Sequence, residues 1–231
     1  MKRHIPNIFT CGNLFCGCVG LVSVFQNDLN FAAYMIGLAA LLDFGDGFAA
    51  RILKAYSSIG KELDSLADCV TFGVLPGTIL YKLLQRSLMH ESYSIEVFVL
   101  LPYVAFLITI FSAWRLAKFN VDTRQTDSFI GVPTPANALL VGSLPLITWQ
   151  HPDWSARILN PYVMVGYVLL MSYLMVAELP LFALKFKDFG WANNRVRYIF
   201  LGISALLLAW LQFAAVPLII ASYVVLSLIR I

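Results

Sequence analysis

Four aspartates lie close together in a chain that is otherwise poor in charge. Asp43 and Asp46 are three residues apart, Asp64 and Asp68 are four apart, and only 13% of the 231 residues are charged. Carboxylates crowded between apolar segments repel one another and lose hydration, and a bound divalent cation removes that cost. Oxygen ligands favour Mg²⁺, Mn²⁺ or Ca²⁺ over zinc. The pattern therefore predicts a metal site able to neutralise a pyrophosphate during phosphoryl transfer.

Two helices would have to position these aspartates. In a helix over Ala32–Leu53, the first aspartate pair and Arg51 fall on one face because their spacings follow the helical repeat. In a second helix over Gly60–Leu84, Asp64 and Asp68 recur on one face in the same way. The connection is about six residues long, so the helices must pack as an antiparallel hairpin whose acidic faces meet.

Composition indicates an integral membrane protein. Hydrophobic residues make up 60% of the chain and the mean hydropathy is +0.79, well above the values of soluble domains. We predict one all-α domain over residues 1–231, a bundle of about eight transmembrane helices. The predicted spans are Asn7–Phe25, Phe31–Leu53, Gly60–Leu84, Ser94–Leu116, Pro135–Trp149, Pro161–Leu184 and two short helices within Tyr198–Ile231 that turn at about Gln212–Val216.

The distribution of basic residues predicts the orientation. Eight spans place both termini on one side, and most of the 16 lysines and arginines fall on that side, which the positive-inside rule makes cytoplasmic. The acidic cluster would then open toward the cytoplasm of a cell (inner) membrane. No cleavable signal peptide is recognised, and the four cysteines are expected to be small apolar packing residues. The basic residues of the predicted cytoplasmic side are Lys2, Arg3, Arg51, Lys54, Lys61, Arg115, Lys118, Arg124, Lys185, Lys187, Arg195, Arg197 and Arg230.

The acidic stretch resembles a known signature. It reads D-x2-D-G-x2-A-R-x8-G-x3-D-x3-D from Asp43 to Asp68, including Gly47, Ala50, Arg51 and Gly60, and is similar to that of the CDP-alcohol phosphotransferase family. In that family an alcohol attacks a CDP-linked donor and CMP leaves. The resemblance implies that Asp43, Asp46, Asp64 and Asp68 bind Mg²⁺ or Mn²⁺, with Ca²⁺ a further candidate, and that Asp68 is also the general base. The residues implied to bind CDP-diacylglycerol are Asn7, Thr10, Gly47, Arg51, Ser57 and Gly60.

Three further segments resemble the bacterial phosphatidylserine synthases, a branch of this family. They are HIPNIFTCGNLFCG near the N-terminus, FSAWRLAKFN (Phe111–Asn120) and FIGVPTPANA (Phe129–Ala138). This resemblance implies transfer of the phosphatidyl group of CDP-diacylglycerol to L-serine, and a homodimer. Because the donor is an amphiphile, we expect its acyl chains in a groove between spans that faces lipid. Arg115 would bind the serine carboxylate, with Asn120 and Thr134 as polar partners.

The sequence is also compatible with other functions. Glycerol-3-phosphate or inositol phosphate could replace serine, although such acceptors would call for more basic residues around the pocket than Arg115. Acids inside a membrane segment also occur in cation or proton transporters, but there they lie near mid-bilayer on several spans. Glu178 is the other acid deep in a predicted span, where it is expected either to pair with a basic residue or to line a polar contact. The small net charge of +3 does not indicate nucleic-acid binding.

Overall fold

The computed structural model describes residues 5–55, 57–89, 95–122, 128–182 and 190–229. Six of the basic residues used to predict orientation lie outside the described residues: Lys2, Arg3, Arg124, Lys185, Lys187 and Arg230. The described elements are α1 (Ile5–Phe25), α2 (Leu29–Leu53), α3 (Ser58–Asp68), α4 (Leu75–Leu88), α5 (Ile95–Leu100), α6 (Phe106–Val121), β1 (Ser128–Ile130), α7 (Thr134–Gln150), α8 (Ser155–Ile158), α9 (Pro161–Val176), β2 (Pro180–Phe182), α10 (Trp191–Leu211) and α11 (Ala215–Ile229).

Several helices follow one another with little or no interruption. A π-helical turn, Cys69–Val74, joins α3 to α4, and a 3-10 turn, Leu101–Ala105, joins α5 to α6. When α3–α4, α5–α6 and α8–α9 are each counted once, the described ranges contain eight helical segments in the predicted order. The protein is an all-α membrane protein, and its described ranges contain two three-residue strands besides the helices.

Length and composition alone support fewer membrane crossings than eight. Among the residues that the structure describes, four stretches qualify, and the bent pair Pro152–Ile158 and Pro161–Val176 would be a fifth. The four stretches are Ile5–Phe25, Ser58–Leu88, Leu101–Val121 and Arg197–Ser227. The helix α2, which carries two of the aspartates, and the short α7 are not among them, so the count of eight describes helical segments.

The last two helices fold back on each other. The rings of Phe200 and Tyr223 have centroids 5.9 Å apart, whereas one continuous helix would separate these residues by roughly 35 Å. The chain reverses at Gln212, whose φ is 49°, and continues through a 3-10 turn over Gln212–Ala214. The predicted turn at about Gln212–Val216 is therefore confirmed, and α10 and α11 form a hairpin that packs against α7 and β2.

The sixth predicted span is wrong at its end. We expected a helix through Leu184, but α9 ends at Val176, and β2 then pairs antiparallel with β1, with Phe129 opposite Leu181. Pro180 explains the difference. In a continued helix its ring would clash with the carbonyl of Val176, and proline has no backbone N–H to donate a helical hydrogen bond. Residues 183–184 of the predicted span lie outside the described residues.

Close packing of α1 on its neighbours sets the position of α2 and α3, which carry the four aspartates and together form the acidic hairpin. The helices α1 and α2 pack along their length, and α1 also contacts α3 and the π-helical turn. Gly17 permits this approach, since a Cβ there would lie 2.3 Å from Thr71 Oγ1. The core beside this contact is apolar, with Ile36, Phe72 and Leu75 fully buried.

Candidate active site

The acidic hairpin has well-defined helix ends. Lys54 ends α2 in the left-handed conformation with a φ of 49°, and its N–H bonds to the carbonyls of Ala50 and Arg51. Ser57 begins α3 as an N-cap whose Oγ accepts a hydrogen bond of 2.9 Å from the Gly60 N–H. Asp43 of α2 places a carboxylate oxygen within 4.8 Å of Asp64 and Asp68 of α3, so the acidic faces of the two helices meet as predicted.

Three of the four aspartates come together. Asp43, Asp64 and Asp68 each place a carboxylate oxygen within 4.8 Å of the others. Asp68 is buried at 8% exposure, and Asp64 Oδ1 is a buried atom that finds no hydrogen-bond partner among the described residues. A cluster of partly or fully buried negative charges with an unpartnered oxygen is costly unless a cation binds there. The donor set consists of hard oxygens and fits a divalent cation such as Mg²⁺.

Asp46 lies at the edge of this cluster. Its side chain is 7% exposed and interacts electrostatically with Asp43 and Asp64. Asp46 Oδ2 accepts a hydrogen bond of 2.7 Å from the Thr10 hydroxyl on α1. Asp46 as a fourth metal ligand stays a prediction, since its oxygens are outside the group of three that meet within 4.8 Å.

A pocket of about 200 Å³ adjoins the aspartates. No other atom lies within 4 Å of a Cβ built on Gly47, so this glycine leaves open space beside the helix. The predicted donor-binding residues converge here with the exception of Arg51, which is exposed on α2 and does not line the pocket. The pocket is lined by Pro6, Asn7, Thr10, Asp46, Gly47, Ala50, Ala55, Ser57, Gly60, Lys61 and Asp64.

Two residues near this pocket were missed by the sequence reasoning. Lys61 was counted only among the basic residues of the predicted cytoplasmic side, yet it lines the pocket and its Nζ donates a hydrogen bond of 2.8 Å to the Asn120 carbonyl. Asn13 is fully buried, and its Nδ2 donates a hydrogen bond of 2.9 Å to Asp68 Oδ1. A strongly polar side chain in the middle of the apolar first span was the available signal for Asn13.

The predicted acceptor residues lie in different surroundings. Arg115 on α6 is 7% exposed and interacts electrostatically with Asp68 and with Tyr223 of α11. Its Nε has no hydrogen-bond partner within the described ranges. Thr134, the first residue of α7, is fully buried, and its Oγ1 is likewise unpartnered there. Both residues offer unused polar atoms for a small ligand.

Asn120 already has a structural partner. Its Nδ2 donates a hydrogen bond of 2.8 Å to Ser65 Oγ, which joins α6 to the acidic helix next to Asp64. On the same side of the molecule, Lys118 and Glu178 form an ion pair at 3.4 Å, so pairing with a basic residue, one of the two alternatives for Glu178, is confirmed, although Glu178 lies beyond the end of α9. These contacts hold α6 and the end of α9 against the site.

The chain resembles known proteins along most of its length. Residues 3–228 match the family described as CDP-alcohol phosphatidyltransferase. The CDP-diacylglycerol–serine O-phosphatidyltransferase of Bacillus subtilis (strain 168) is 32% identical over 181 residues, which cover 77% of this chain and 89% of that protein. The Helicobacter pylori (strain J99) protein with the same description is 31% identical over 176 residues, covering 75% of this chain and 70% of that one.

A related archaeal protein carries a different description. The archaetidylserine synthase of Methanothermobacter thermautotrophicus is 28% identical over 169 residues, covering 72% of this chain and 66% of that protein. The match to the family extends over both helices of the acidic hairpin and the helices that pack around it. The chain therefore belongs to the CDP-alcohol phosphatidyltransferase family.

Proposed function

We propose that the protein transfers the phosphatidyl group of CDP-diacylglycerol to L-serine, giving phosphatidylserine and CMP. The observation that carries this proposal is the meeting of Asp43, Asp64 and Asp68 within 4.8 Å, beside a pocket that Asn7 and Thr10 also line. Relatives described as CDP-diacylglycerol–serine O-phosphatidyltransferases support the same donor and acceptor.

The reaction exchanges one phosphate ester bond for another. The serine hydroxyl oxygen forms a bond to the phosphorus that carries diacylglycerol, while the bond from that phosphorus to the CMP oxygen breaks and CMP keeps its electron pair. Asp68 accepts the hydroxyl proton as the new bond forms. Asp43, Asp64 and Asp68, with Asp46 as a fourth ligand, would hold a divalent cation, Mg²⁺ or Mn²⁺, which would supply positive charge against the diphosphate.

The residues around the pocket would bind and orient the nucleotide. Gly47 leaves room for the diphosphate to approach α2, and Lys61 places a positive charge at the rim. Asn7 and Ser57 line the same pocket with polar side chains. Arg51 is exposed on α2 and does not line the pocket. We expect it to contact the phosphates of the nucleotide from the membrane surface.

The serine would bind on the opposite side of Asp68, beside Arg115. A guanidinium in a buried setting is suited to a carboxylate because it offers a planar pair of N–H donors. Arg115 combines 7% exposure, an unpartnered Nε in the described structure and electrostatic interaction with Asp68. Thr134 and Asn120 are the further polar candidates, and the existing bond of Asn120 to Ser65 makes Thr134 the more available of the two.

An apolar groove of about 510 Å³ supports a lipid donor. It lies between α7 and the α10–α11 hairpin and includes Tyr223, which interacts electrostatically with Arg115. Through Tyr223 the groove adjoins Arg115, and we assign the groove to one acyl chain of the donor. Its walls are formed by Pro133, Ala136, Leu139, Phe200, Leu208, Val216, Ile219, Ile220 and Tyr223.

The decisive experiment measures CMP release by the purified protein in detergent. CDP-diacylglycerol is supplied with serine, glycerol-3-phosphate, inositol phosphate or no alcohol, and an ether-linked donor is tested in parallel because of the archaetidylserine synthase relative. We expect CMP release that depends on serine and forms phosphatidylserine. Release with a phosphorylated alcohol and none with serine would overturn the acceptor assignment.

We also propose a cell-membrane location with the site facing the cytoplasm. In the described ranges, basic residues at the site end (Arg51, Lys54, Lys61, Arg115, Lys118, Arg195 and Arg197) outnumber those at the other end (Lys82, Arg86 and Arg157). Cysteine variants at Lys54 and Arg157, probed in intact cells with a membrane-impermeant reagent, test the orientation, with Arg157→Cys labelled and Lys54→Cys protected. A homodimer stays a prediction, tested by the mass of the detergent-solubilised protein from light scattering.

A further inference from the structure

Asn13 connects the first helix to the segment around Asp68 through its side-chain Nδ2 and its backbone carbonyl. Its side-chain Nδ2 donates a hydrogen bond of 2.9 Å to Asp68 Oδ1. Its backbone carbonyl accepts a hydrogen bond of 3.1 Å from Thr71 Oγ1. The residue is fully buried, so it contacts neither solvent nor the open pocket. Its polar contacts are directed at the segment that carries Asp68.

The local backbone explains how this contact arises. The π-helical turn Cys69–Val74 begins directly after Asp68, and Thr71 within it directs its hydroxyl to α1. Gly17, one turn further along α1, allows the close approach, because a Cβ there would lie 2.3 Å from Thr71 Oγ1. A π-helical turn is rare and is found often at functional sites. Here it brings α1 near enough for the Asn13 amide to reach Asp68.

We propose that Asn13 is a positioning residue for Asp68. The terminal torsion of an aspartate is broad, so the carboxylate plane is poorly defined unless a neighbour selects one orientation. The Asn13 N–H occupies Asp68 Oδ1 and thereby directs Oδ2 as the oxygen available to a cation or to the acceptor proton. Removal of a hydrogen bond that orients a metal-binding carboxylate typically costs about 10- to 100-fold in metal affinity or activity.

This inference rests on the proposed function, and its test includes a readout that does not depend on turnover. The main variant is Asn13→Leu, which keeps a similar size and removes the donor. Asn13→Asp keeps the shape and replaces the donor with an acceptor. Ser23→Ala is the matched control, because Ser23 is also buried on α1 but donates to its own helix, at 2.9 Å to the Val19 carbonyl.

Mn²⁺ affinity is measured by electron paramagnetic resonance on the purified proteins, alongside steady-state CMP release and thermal unfolding. We expect both Asn13 variants to bind Mn²⁺ about 10-fold or more weakly and to lose about 10- to 100-fold in kcat. The KM values for donor and serine should change by less than about twofold, and Ser23→Ala should match the unsubstituted protein. At least one Asn13 variant is expected to keep its unfolding temperature.

Three outcomes would overturn the assignment. A folded Asn13 variant with unchanged Mn²⁺ affinity and kcat would show that Asp68 needs no orienting partner. A raised KM for serine with unchanged kcat would make Asn13 a residue that affects substrate binding instead. Parallel loss of folding in both variants would make its role structural. If serine supports no CMP release in the unsubstituted protein, the proposed function fails, and the Mn²⁺ comparison still decides the role of Asn13.

Discussion

Thr10 on the first helix donates a hydrogen bond of 2.7 Å to Asp46 on the second, and both residues are buried. The resemblance implied that Thr10 contacts the nucleotide, and Thr10 does line the candidate nucleotide pocket. Its hydroxyl is nevertheless directed at a carboxylate. Together with the bond from Asn13 to Asp68, this contact makes α1 the support of one carboxylate on each acidic helix.

Thr10→Val should lower kcat/KM for CDP-diacylglycerol by about 10- to 100-fold. The substitution keeps the shape and removes a hydrogen bond to a charged group, worth about 1.5–3 kcal/mol. Thr10→Ser retains the hydroxyl and should keep most of the activity. Steady-state CMP release over a range of donor concentrations measures both, and equal rates for the valine and serine variants would contradict a role for the hydroxyl.

Asp68→Asn should reduce kcat by about 100- to 10,000-fold, the usual range for removal of a general base. The amide is nearly isosteric and cannot accept the serine proton, so binding of the donor should be weakened far less than turnover. Glu62→Gln is the control, because Glu62 is an exposed acid on the same helix. Near-normal turnover in Asp68→Asn would exclude this residue as the base.

Chelation of divalent cations should stop CMP release, and Mg²⁺ or Mn²⁺ should restore it. The physical reason is the repulsion among Asp43, Asp64 and Asp68, whose oxygens meet within 4.8 Å and need a positive charge between them. Zn²⁺ should restore less, because the cluster offers hard oxygen ligands. The measurement is the initial rate after EDTA treatment and metal addition, and a rate insensitive to EDTA would contradict the metal site.

Arg115→Met should raise the KM for serine by about 100-fold and leave the KM for the donor nearly unchanged. The loss corresponds to a charge-assisted contact of about 3 kcal/mol with the serine carboxylate. Arg115→Lys should be intermediate, because it keeps the charge without the planar fork. Lys118→Met removes the exposed cation of the ion pair with Glu178 and should have only a small effect. An unchanged KM for serine in Arg115→Met would move the acceptor site elsewhere.

Ala136→Phe should discriminate between donors by acyl-chain length. Ala136 lies in the wall of the apolar groove between α7 and the α10–α11 hairpin, and a larger side chain there would fill part of its 510 Å³. We expect a higher KM for long-chain CDP-diacylglycerol and little change for a short-chain donor. Gly166→Ala is a suitable control, because a Cβ at Gly166 of α9 meets no other atom within 4 Å. If the ratio of the KM values for the long-chain and short-chain donors is the same in both variants, the groove does not bind the acyl chain.

Much of the architecture follows from local patterns in the sequence. The acidic hairpin, the helix over Thr134–Gln150 and the turn at Gln212 agree with their predictions, because periodicity, turn residues and span length act over short distances. The end of α9 was missed although Pro180 marked it. The prediction followed the apolar run through Leu184 and neglected this single proline. The pairing of β1 with β2 joins two distant segments, which local patterns in the sequence do not reveal.

The sequence by itself determined the membrane class through its composition, and it contains the acidic signature directly. It also determined the faces on which the aspartates lie, because the helical repeat fixes them. The tertiary structure alone decided which carboxylate oxygens meet, that α1 supports Asp46 and Asp68, and that Tyr223 of the last helix lies near Arg115. Those relationships join residues far apart in the chain. They depend on how closely whole helices pack, which spacing within one helix does not specify.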